Sequence, residues 1–307
     1  MQKKANCLII GANGFIGSHL VDGLVEAGYR VRAFDRYSRP VAFNESKKAE
    51  ILKGDFFDDM VAAEALKGID YVFHAFSVTT PFSSDSDPYS DISLNLMRNV
   101  QLFEKSVEAG VKKIIFISSG GAIYGHLAEE KMATEEDAPT PVSPYGIVKL
   151  ASEHYLAYFQ RKYNLDYRVY RATNPYGPRQ ITKNNQGVVP AFIDKIKRGE
   201  KIVVIGDGNS TRDYIYIKDV VRLLVRTFNE ESKFNTYNIG SGQQTSVNTI
   251  IETLEEIIGK KALVEYVEAP KTFLKHSRVS VERFKNEFGL DKLALFKEGL
   301  TKTVGSS

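Results

Sequence analysis

The fold of this chain is decided by Cys7-Leu-Ile-Ile-Gly11-Ala-Asn-Gly14-Phe-Ile-Gly17-Ser-His-Leu20, near the start of its 307 residues. The apolar run before Gly11 predicts a buried strand, and the apolar period after Gly14 predicts a helix. In a G-x-x-G-x-x-G turn the first glycine permits the tight bend and the second lets the backbone approach a pyrophosphate. The third lets helix and strand pack closely, and the first N–H groups of the helix attract an anion. This stretch predicts a dinucleotide site.

A second predicted strand follows the helix and ends in an acid. Residues 30–35 read Arg-Val-Arg-Ala-Phe-Asp, and Asp35 lies 18 residues after the last glycine of the turn. A carboxylate at this place accepts hydrogen bonds from a ribose. Asp35 favours NAD because it repels the 2′-phosphate of NADP, whereas Arg36 beside it, with Arg32 and Arg39 close by, leaves NADP as an alternative.

The composition is that of an ordinary globular protein, with 43% hydrophobic and 26% charged residues. A net charge of +3 without a dense Lys/Arg run predicts no nucleic-acid partner. No apolar stretch reaches membrane-spanning length and no signal peptide is visible, so we expect a cytoplasmic protein without a membrane partner. The single cysteine, Cys7, excludes an internal disulfide and fits a reducing compartment. We predict no metal site.

Strands and helices alternate through the first part of the chain. Strands are expected at residues 50–55, 71–75, 113–118 and 166–172, with helices at 58–66, 92–109 and 144–163. Residues 77–89, rich in Ser, Thr, Pro and Asp, are expected to form a loop. Nearly continuous apolar strands separated by helices predict an α/β fold, a Rossmann-type doubly wound parallel sheet with ligands at the carboxyl ends of the strands.

The character of the chain changes from Asn174, where elements shorten and glycine-containing loops interrupt them. Helices are expected at residues 188–198, 219–228, 247–258 and 281–288. We therefore predict a dinucleotide-binding domain over residues 1–173 and a smaller, discontinuous substrate domain over 174–307. Segments near 213–240 are expected to return to the first domain.

The second informative stretch is Ser143-Pro-Tyr145-Gly-Ile-Val-Lys149. Tyr145 and Lys149 are spaced i, i+4 and share one helix face. A nearby ammonium favours phenolate over phenol, so Lys149 is expected to lower the pKa of Tyr145 toward neutrality. That would make Tyr145 an acid/base for an alcohol or a carbonyl.

The chain resembles the extended short-chain dehydrogenase/reductase family that acts on nucleotide sugars, the NAD-dependent epimerases and dehydratases, from Leu8 to about Phe228 and more thinly beyond. The motifs that carry the resemblance are Gly11-x-x-Gly14-Phe-Ile-Gly17, Gly54-Asp55, Phe116-Ile-Ser-Ser-Gly-Gly-Ala-Ile-Tyr-Gly125, Pro144-Tyr145-Gly-x-x-Lys149, Arg171-x-x-Asn174-Pro-Tyr-Gly-Pro178 and Arg212-Asp-Tyr-Ile215. The resemblance is specific for the family and much less so for one activity within it.

The resemblance implies a set of binding and catalytic residues. The implied catalytic residues are Tyr145, Lys149 and Ser119. The implied cofactor-binding residues are Gly11, Asn13, Gly14, Phe15, Ile16, Gly17, Asp35, Arg36, Asp55, Phe56, Ala75, Ser77, Ser118, Tyr145, Lys149 and Tyr176. The implied substrate-binding residues are Thr79, Ser119, Gly120, Asn174, Val188, Val189, Ile205, Arg212 and His276. Arg212 would clamp a pyrophosphate, with a surface ion pair to Asp213 as the alternative.

The sequence departs from the 4-epimerases of the family in three places. Gly120 stands where a Ser or Thr commonly binds the 4-oxygen of the sugar, and Ser119 is the neighbouring hydroxyl. An arginine often seen near position 270 is absent, with Lys271, Lys275 or Arg278 as its replacement. His276 falls where related enzymes set the room for the 2-substituent of the sugar, although a structural role is the alternative.

The resemblance implies a nucleotide-sugar 4-epimerase for a UDP-hexose or UDP-N-acetylhexosamine, by oxidation at C4 and re-reduction on the other face with recycled NAD. The same residues used once would make an NAD(P)H-dependent reductase of a nucleotide-linked 4-keto-6-deoxyhexose. Gly121-Ala122 disfavour a 4,6-dehydratase and a sugar-acid decarboxylase, and the Tyr145–Lys149 pair disfavours a non-catalytic sensor. Relatives pair through two long helices, so a homodimer is expected through residues 92–109 and 144–163, in carbohydrate metabolism such as polysaccharide biosynthesis.

Overall fold

A computed structural model describes residues 5–181, 187–269 and 273–306. Its strands are β1 (Asn6–Ile10), β2 (Arg30–Asp35), β3 (Glu50–Lys53), β4 (Tyr71–His74), β5 (Lys113–Ser119), β6 (Asp166–Ala172), β7 (Asn174–Tyr176), β8 (Lys201–Ile205), β9 (Thr211–Arg212), β10 (Tyr214–Tyr216), β11 (Thr236–Ile239), β12 (Thr245–Ser246), β13 (Leu263–Val267) and β14 (His276–Ser277). Its α-helices are α1 (Phe15–Glu26), α2 (Asp59–Leu66), α3 (Pro81–Ser84), α4 (Pro88–Asp91), α5 (Met97–Glu108), α6 (Pro144–Tyr163), α7 (Val188–Arg198), α8 (Ile217–Thr227), α9 (Val247–Ile258), α10 (Glu282–Phe288) and α11 (Phe296–Val304).

The largest sheet has seven strands in the order β11-β6-β5-β4-β1-β2-β3. β1 pairs in parallel with both β2 and β4, and the pairs β2/β3 and β4/β5 are parallel as well. The chain winds outward from β1 in one direction and then in the other, so the order reverses between β1 and β4. This confirms the predicted Rossmann-type doubly wound sheet, and the reversal marks the sheet edge at which such folds bind ligands.

The sheet is buried because its strands are apolar on both faces. Leu8 and Phe116 pack with Phe34 and Phe103 in one cluster of buried side chains. On the other face the ring of Phe73 lies 5.0 Å from that of Phe228, centroid to centroid. A strand with both faces covered carries no alternation of polar and apolar residues, which is why β1 and β5 read as continuous apolar runs.

Two segments differ from the sequence-based expectation. The expected loop at 77–89 contains α3 and the first half of α4, which are capped by the side chains of Thr80 and Asp87 and each start with a proline. Ser, Thr and Asp before a proline are helix-start signals, and here they act over single turns. The expected helix at 92–109 opens with a π-helical turn, Ile92–Leu96, before α5.

The chain divides into two compact units. The first comprises residues up to Ser119, Ser143–Tyr170 and Val221–Thr236, and the second comprises Gly120–Val142, Arg171–Val220 and the residues from Tyr237 onward. The sequence-based boundary at residue 173 remains a prediction, and the return of 221–236 to the first unit falls within the expected range of 213–240. In the second unit β7 pairs with β10, β8 with β13, and β9 with both β12 and β14. In the described residues no helix combines the length and the apolar character that crossing a membrane requires.

Candidate active site

The glycine turn connects β1 to α1, and steric contacts require glycine at two of its positions. Gly11 has φ of +81°, and a Cβ there would lie 2.8 Å from the carbonyl oxygen of Ala75. A Cβ at Gly17 would lie 2.0 Å from the carbonyl oxygen of Gly11. Gly14 is the N-cap of α1, and no side chain caps that end of the helix. The close backbone and the uncapped N–H groups fit a dinucleotide pyrophosphate.

Asp35 and Asn13 connect this turn to the loop after β2. The Asp35 carboxylate accepts hydrogen bonds from the backbone N–H groups of Asn13 (3.0 Å) and Tyr37 (3.3 Å). The Asn13 side-chain amide donates to carbonyl oxygens at residues 39 and 40 and accepts from the N–H of residue 42 at 2.7 Å. The Asn13 side chain therefore holds the loop, and its backbone orients the carboxylate predicted to bind ribose.

The arginines near Asp35 differ in what they contact. Arg32 donates to Glu50 at 2.9 Å and to carbonyl oxygens at residues 65 and 67 at 2.9 and 3.0 Å. These bonds hold the Arg32 guanidinium between β2, β3 and the end of α2. An arginine engaged in this way is less available to the 2′-phosphate of NADP. Arg36 is exposed beside Asp35. The fixed carboxylate at residue 35 thus favours NAD.

The residues expected to bind the adenosine half lie after β3 and β4. Asp55 is exposed, and its carboxylate accepts from the N–H of Phe57 at 3.0 Å. Phe56 is half-buried against the ring of Phe76, 5.9 Å between centroids. The Ser77 hydroxyl donates to the carbonyl oxygen of residue 79 at 2.9 Å, so that hydroxyl is engaged within its own loop. Phe15 and Ile16 are half-buried in the first turn of α1, and Ala75 is half-buried after β4.

Tyr145 and Lys149 lie in the first two turns of α6. Ser143 caps the helix by accepting from the N–H of residue 146, with a proline at its first position. The Lys149 Nζ donates to the carbonyl oxygen of Ile117 at 2.9 Å and lies 5.6 Å from the centroid of the Tyr145 ring. The Tyr145 N–H donates to the Ser84 hydroxyl at 3.3 Å. The i, i+4 spacing thus brings the two side chains together.

The pKa values of the pair correct one expectation. Burial, assisted by the carboxylate of Asp91, raises the pKa of Tyr145 to about 12. Burial lowers the pKa of Lys149 to about 8, although Glu153 and Asp91 oppose the decrease. The expected lowering of the Tyr145 pKa by Lys149 is therefore wrong for the protein alone, because desolvation of the phenolate dominates and the nearby acid adds to it.

Buried polar groups that sequence reasoning missed surround the pair. His74, at the end of β4, is 1% exposed, and burial with the charge of Lys149 lowers its pKa to about 3. Asp91 and Asn95 are 0% and 4% exposed and hydrogen-bond each other at 2.9 Å, and the Thr79 hydroxyl donates to Asp91. Asp91 and Asn95 are spaced one helical turn apart, which is a signal in the sequence, but the loop expected at 77–89 precedes them and gives no indication of buried polar residues.

The end of β5 determines which hydroxyl is offered there. The Ser118 hydroxyl donates to the buried Glu153. Ser119 is half-buried, and among the residues described its hydroxyl makes no hydrogen bond. A Cβ at Gly120 would lie 2.8 Å from the carbonyl oxygen of Arg171. The position where the resemblance implies a Ser or Thr therefore excludes a side chain here, which leaves Ser119 as the neighbouring hydroxyl.

In the second unit, several predicted residues are part of its packing. The Asn174 side-chain amide donates to the carbonyl oxygen of Asp213 at 3.0 Å. Tyr176 is 2% exposed, and its hydroxyl donates to the carbonyl oxygen of Phe296 at 3.0 Å. The Tyr176 side chain therefore packs inside this unit. At the start of α7, Val188 is half-buried and Val189 fully buried, whereas Ile205 at the end of β8 is exposed.

Arg212 carries a charge that no carboxylate in the described ranges neutralises through a salt bridge. Its guanidinium donates to the carbonyl oxygens of Thr211 (2.8 Å), Leu274 (2.5 Å) and Lys275 (3.1 Å), and burial lowers its pKa. The alternative ion pair with Asp213 is not formed. The Asp213 carboxylate instead accepts from the backbone N–H groups of residues 241 and 242 and from the hydroxyl of residue 241.

His276 and Arg278 belong to the remaining departures from the 4-epimerase pattern, and both make contacts within the second unit. The Nδ1 of His276 is 2.9 Å from the Thr211 hydroxyl, and its Nε2 is 4.0 Å from a carboxylate oxygen of Glu129. Arg278 donates to the carbonyl oxygen of residue 130 at 2.9 Å. Lys271 lies outside the described residues. No group of three His, Cys, Asp or Glu side chains within the described ranges is arranged to hold a metal ion.

Comparison with known proteins confirms the resemblance. The NAD dependent epimerase/dehydratase family matches residues 7–240. A UDP-glucose 4-epimerase of Mycolicibacterium smegmatis is 34% identical over 97% of this chain and 96% of its own. A dTDP-4-dehydro-6-deoxyglucose reductase of Escherichia coli is 30% identical over 99% and 98%. The crystal structure of a UDP-glucose 4-epimerase with UDP-glucose from Thermotoga maritima has a TM-score of 0.90 and 36% identity, covering 98% of each chain.

Proposed function

We propose that this chain, which belongs to the NAD dependent epimerase/dehydratase family, is a nucleotide-sugar 4-epimerase acting on a UDP-hexose or UDP-N-acetylhexosamine. The observation that carries the proposal is the Tyr145–Lys149 pair on α6, in the same compact unit as an intact glycine turn. We further propose that this first unit is the NAD-binding domain and that the second unit is the substrate domain.

In the proposed reaction Tyr145 exchanges one proton with the 4-oxygen of the sugar. It accepts the proton while C4 is oxidised and returns it when C4 is reduced on the other face. Bound NAD supplies the reversible hydride acceptor. Lys149 stabilises the phenolate by its charge, and its hydrogen bond to the Ile117 carbonyl holds it under the ring. Ser119 is proposed to donate a hydrogen bond to the 4-oxygen, since Gly120 has no room for a hydroxyl.

The nucleotide part of the substrate is proposed to be bound by Arg212. Among the residues described, its guanidinium donates to carbonyl oxygens and lies 5.7 Å from the aromatic ring of Phe273, so its positive charge is available to a pyrophosphate. Asn174, Val188, Val189, Ile205 and His276 remain proposals as substrate-binding residues. Val189 and Tyr176 are buried, so we propose that these two residues contact their ligands through backbone atoms.

The proposal is tested by incubating the purified protein with UDP-glucose or UDP-N-acetylglucosamine without added cofactor and resolving the products by C4 configuration. We expect the 4-epimer to form, and Tyr145→Phe to lower turnover about 1,000-fold. Tyr163→Phe is the matched control because Tyr163 is exposed at the far end of the same helix. Absence of the epimer with both substrates would contradict the proposal.

The second candidate is an NAD(P)H-dependent reductase of a nucleotide-linked 4-keto-6-deoxyhexose. It is favoured by the Escherichia coli relative and by the raised pKa of Tyr145, because a phenol is the form that donates a proton to a carbonyl. NAD(P)H oxidation in the presence of such a 4-keto sugar, without epimerisation of a UDP-hexose, would assign the chain to this reaction.

We also propose a homodimer formed through the helical region of residues 92–109 and α6. Exposed apolar side chains lie on both, at Ile92 and Met97 on the first and at Ile147 and Tyr155 on the second. Sedimentation at a monomeric mass would contradict this. A cytoplasmic location and a part in polysaccharide biosynthesis are further proposals. The location is supported by cysteine usage, because the single cysteine, Cys7, cannot form an internal disulfide.

A further inference from the structure

Asp91 is a buried carboxylate that the proposed reaction does not yet use. It is 0% exposed at the end of α4. One of its oxygens, Oδ1, accepts hydrogen bonds from the hydroxyl of Thr79 and from the side-chain amide of Asn95. The other oxygen, Oδ2, is buried and has no hydrogen-bond partner among the residues described. A buried acceptor without a partner destabilises a fold, so its presence calls for a reason beyond packing.

The elements around Asp91 contact α6, the helix that carries Tyr145 and Lys149. α3, α4 and the π-helical turn Ile92–Leu96 all pack against α6. Ser84 of α3 accepts the backbone N–H of Tyr145 at 3.3 Å. Asn95 of the π-helical turn fixes the preceding loop by accepting the N–H of residue 78 at 2.9 Å. A π-helical turn is a frequent feature of functional sites, and here it places Asn95 in hydrogen-bond contact with Asp91.

We propose that Asp91 is a positioning residue for the Tyr145–Lys149 pair, holding a buried negative charge beside the phenol and the ammonium through its bonds to Thr79 and Asn95. The inference rests on the function proposed above, in which Tyr145 exchanges a proton with the substrate. Asp91 acts through the pair and does not itself touch the reacting atoms.

The charge of Asp91 acts on both members of the pair in the same direction. It adds to burial in raising the pKa of Tyr145, and it opposes burial by raising the pKa of Lys149. A negative charge stabilises the protonated form of each group, a neutral phenol in one case and an ammonium in the other. The pair therefore rests as phenol and ammonium, which is the form that donates a proton.

Among the residues described, Glu153 and His74 also interact electrostatically with Lys149. Glu153, one turn along α6, raises the pKa of Lys149 but has no such effect on Tyr145. His74 from β4 has its pKa lowered to about 3, so it is neutral over the working range. Asp91 is thus the group whose charge raises the pKa of both Tyr145 and Lys149. Its removal is therefore expected to lower both pKa values, whereas removal of the Glu153 charge lowers only that of Lys149.

The test is the pH dependence of turnover for the holoenzyme with Asp91→Asn. Both limbs of the profile are expected to move to lower pH by about one unit, because both pKa values fall when the charge is removed. Asp85→Asn, the same change at an exposed position in the same segment, is the control and is expected to leave both limbs in place. Limbs of Asp91→Asn that coincide with those of the wild type would overturn the proposal.

Two companion variants separate this effect from a loss of structure. Glu153→Gln is expected to move only the limb that reports Lys149. Thr79→Val removes one hydrogen bond to Asp91 and is expected to shift both limbs in the same direction by a smaller amount. If Asp91→Asn does not fold, Thr79→Val decides alone, and an unchanged profile in that folded variant overturns the proposal.

A titration without turnover separates this proposal from the function on which it rests. The phenol of Tyr145 is followed by NMR with ring-labelled tyrosine and assigned by its loss in Tyr145→Phe. A lower midpoint in Asp91→Asn than in wild type supports the role of Asp91 even if no sugar is epimerised. An unchanged midpoint in an active epimerase rejects Asp91 and leaves the proposed function standing.

Discussion

The glycine turn and the surroundings of the Tyr145–Lys149 pair belong to the same compact unit but are specified in different ways. The turn is limited by backbone atoms, since a Cβ at Gly17 would lie 2.0 Å from a carbonyl oxygen only six residues earlier in the chain. Side chains from different elements influence the pair, among them His74 of β4, Asp91 of α4 and Glu153 of α6. The glycines that close backbone contacts require can be recognised in the sequence, whereas an electrostatic environment forms only when residues come together on folding.

The largest effect is expected where the backbone leaves no space. Gly17→Ala places a methyl group against the carbonyl of Gly11, and backbone atoms cannot move aside as a flexible side chain can. We therefore expect the free energy of unfolding to fall by about 4 kcal/mol. We also expect the variant to lose NAD binding. Denaturant unfolding and equilibrium dialysis with NAD measure the two losses. Gly110→Ala is the control, because its φ of +71° gives strain with no atom within 4 Å of the added carbon.

If Gly110→Ala lost as much stability as Gly17→Ala, helix or turn propensity, and not the close contact, would explain why glycine is required at these positions. We expect about 1 kcal/mol for Gly110→Ala, the cost of a left-handed backbone for an L-residue.

The next effect tests whether the same limit holds outside the turn. Gly120→Ser would introduce the hydroxyl that the resemblance implies at this position, but its Cβ would lie 2.8 Å from the carbonyl oxygen of Arg171. We expect about 3 kcal/mol of destabilisation and lower turnover, because the strand end must shift. Thermal unfolding and turnover measure these. Gly121→Ala, whose nearest atom would be 3.5 Å away, is the control, and a gain of turnover in Gly120→Ser would refute the steric reading.

The pair itself predicts a pH-dependent stability. Burial lowers the pKa of Lys149 from 10.5 to about 8, so the folded state disfavours the ammonium. This destabilisation is fully present below pH 8 and is relieved as the pH rises toward 10.5. The stability of the wild type relative to Lys149→Met should therefore increase by about 2 kcal/mol between pH 7 and pH 10. Urea unfolding at both values measures it, and a constant difference would mean that Lys149 is not desolvated in the folded protein.

The smallest effect concerns the short helix that carries Asp91. Asp87 caps α4 by accepting the N–H of Ser90 at 3.2 Å. Asp87→Ala should cost about 1 kcal/mol of stability, the usual contribution of an N-cap. Differential scanning calorimetry measures the change against Asp85→Ala, an exposed acid of the same segment. Equal melting temperatures of the two variants would show that α4 is held by packing alone.

Much of the fold followed from local rules. The glycine spacing, the continuous apolar strands and the alternation with helices predicted the doubly wound sheet, which the strand order and the family match confirm. The pairing of Tyr145 with Lys149 followed from i, i+4 spacing, since that contact depends only on helix geometry. The loop prediction for 77–89 was wrong because two single-turn helices depend on caps and packing more than on periodicity.

By itself the sequence determined the features that chain chirality and helical or strand period impose: the glycine turn, the buried strands and the face shared by Tyr145 and Lys149. Only the tertiary structure decided that Asn13 holds a loop, that Tyr176 is buried, and that Asp91 is buried on a helix packed against α6. It also decided the direction of the Tyr145 pKa. The physical reason is that burial and charge are set by residues distant in the chain: desolvation of the phenolate and the charge of Asp91 both raise the pKa of Tyr145.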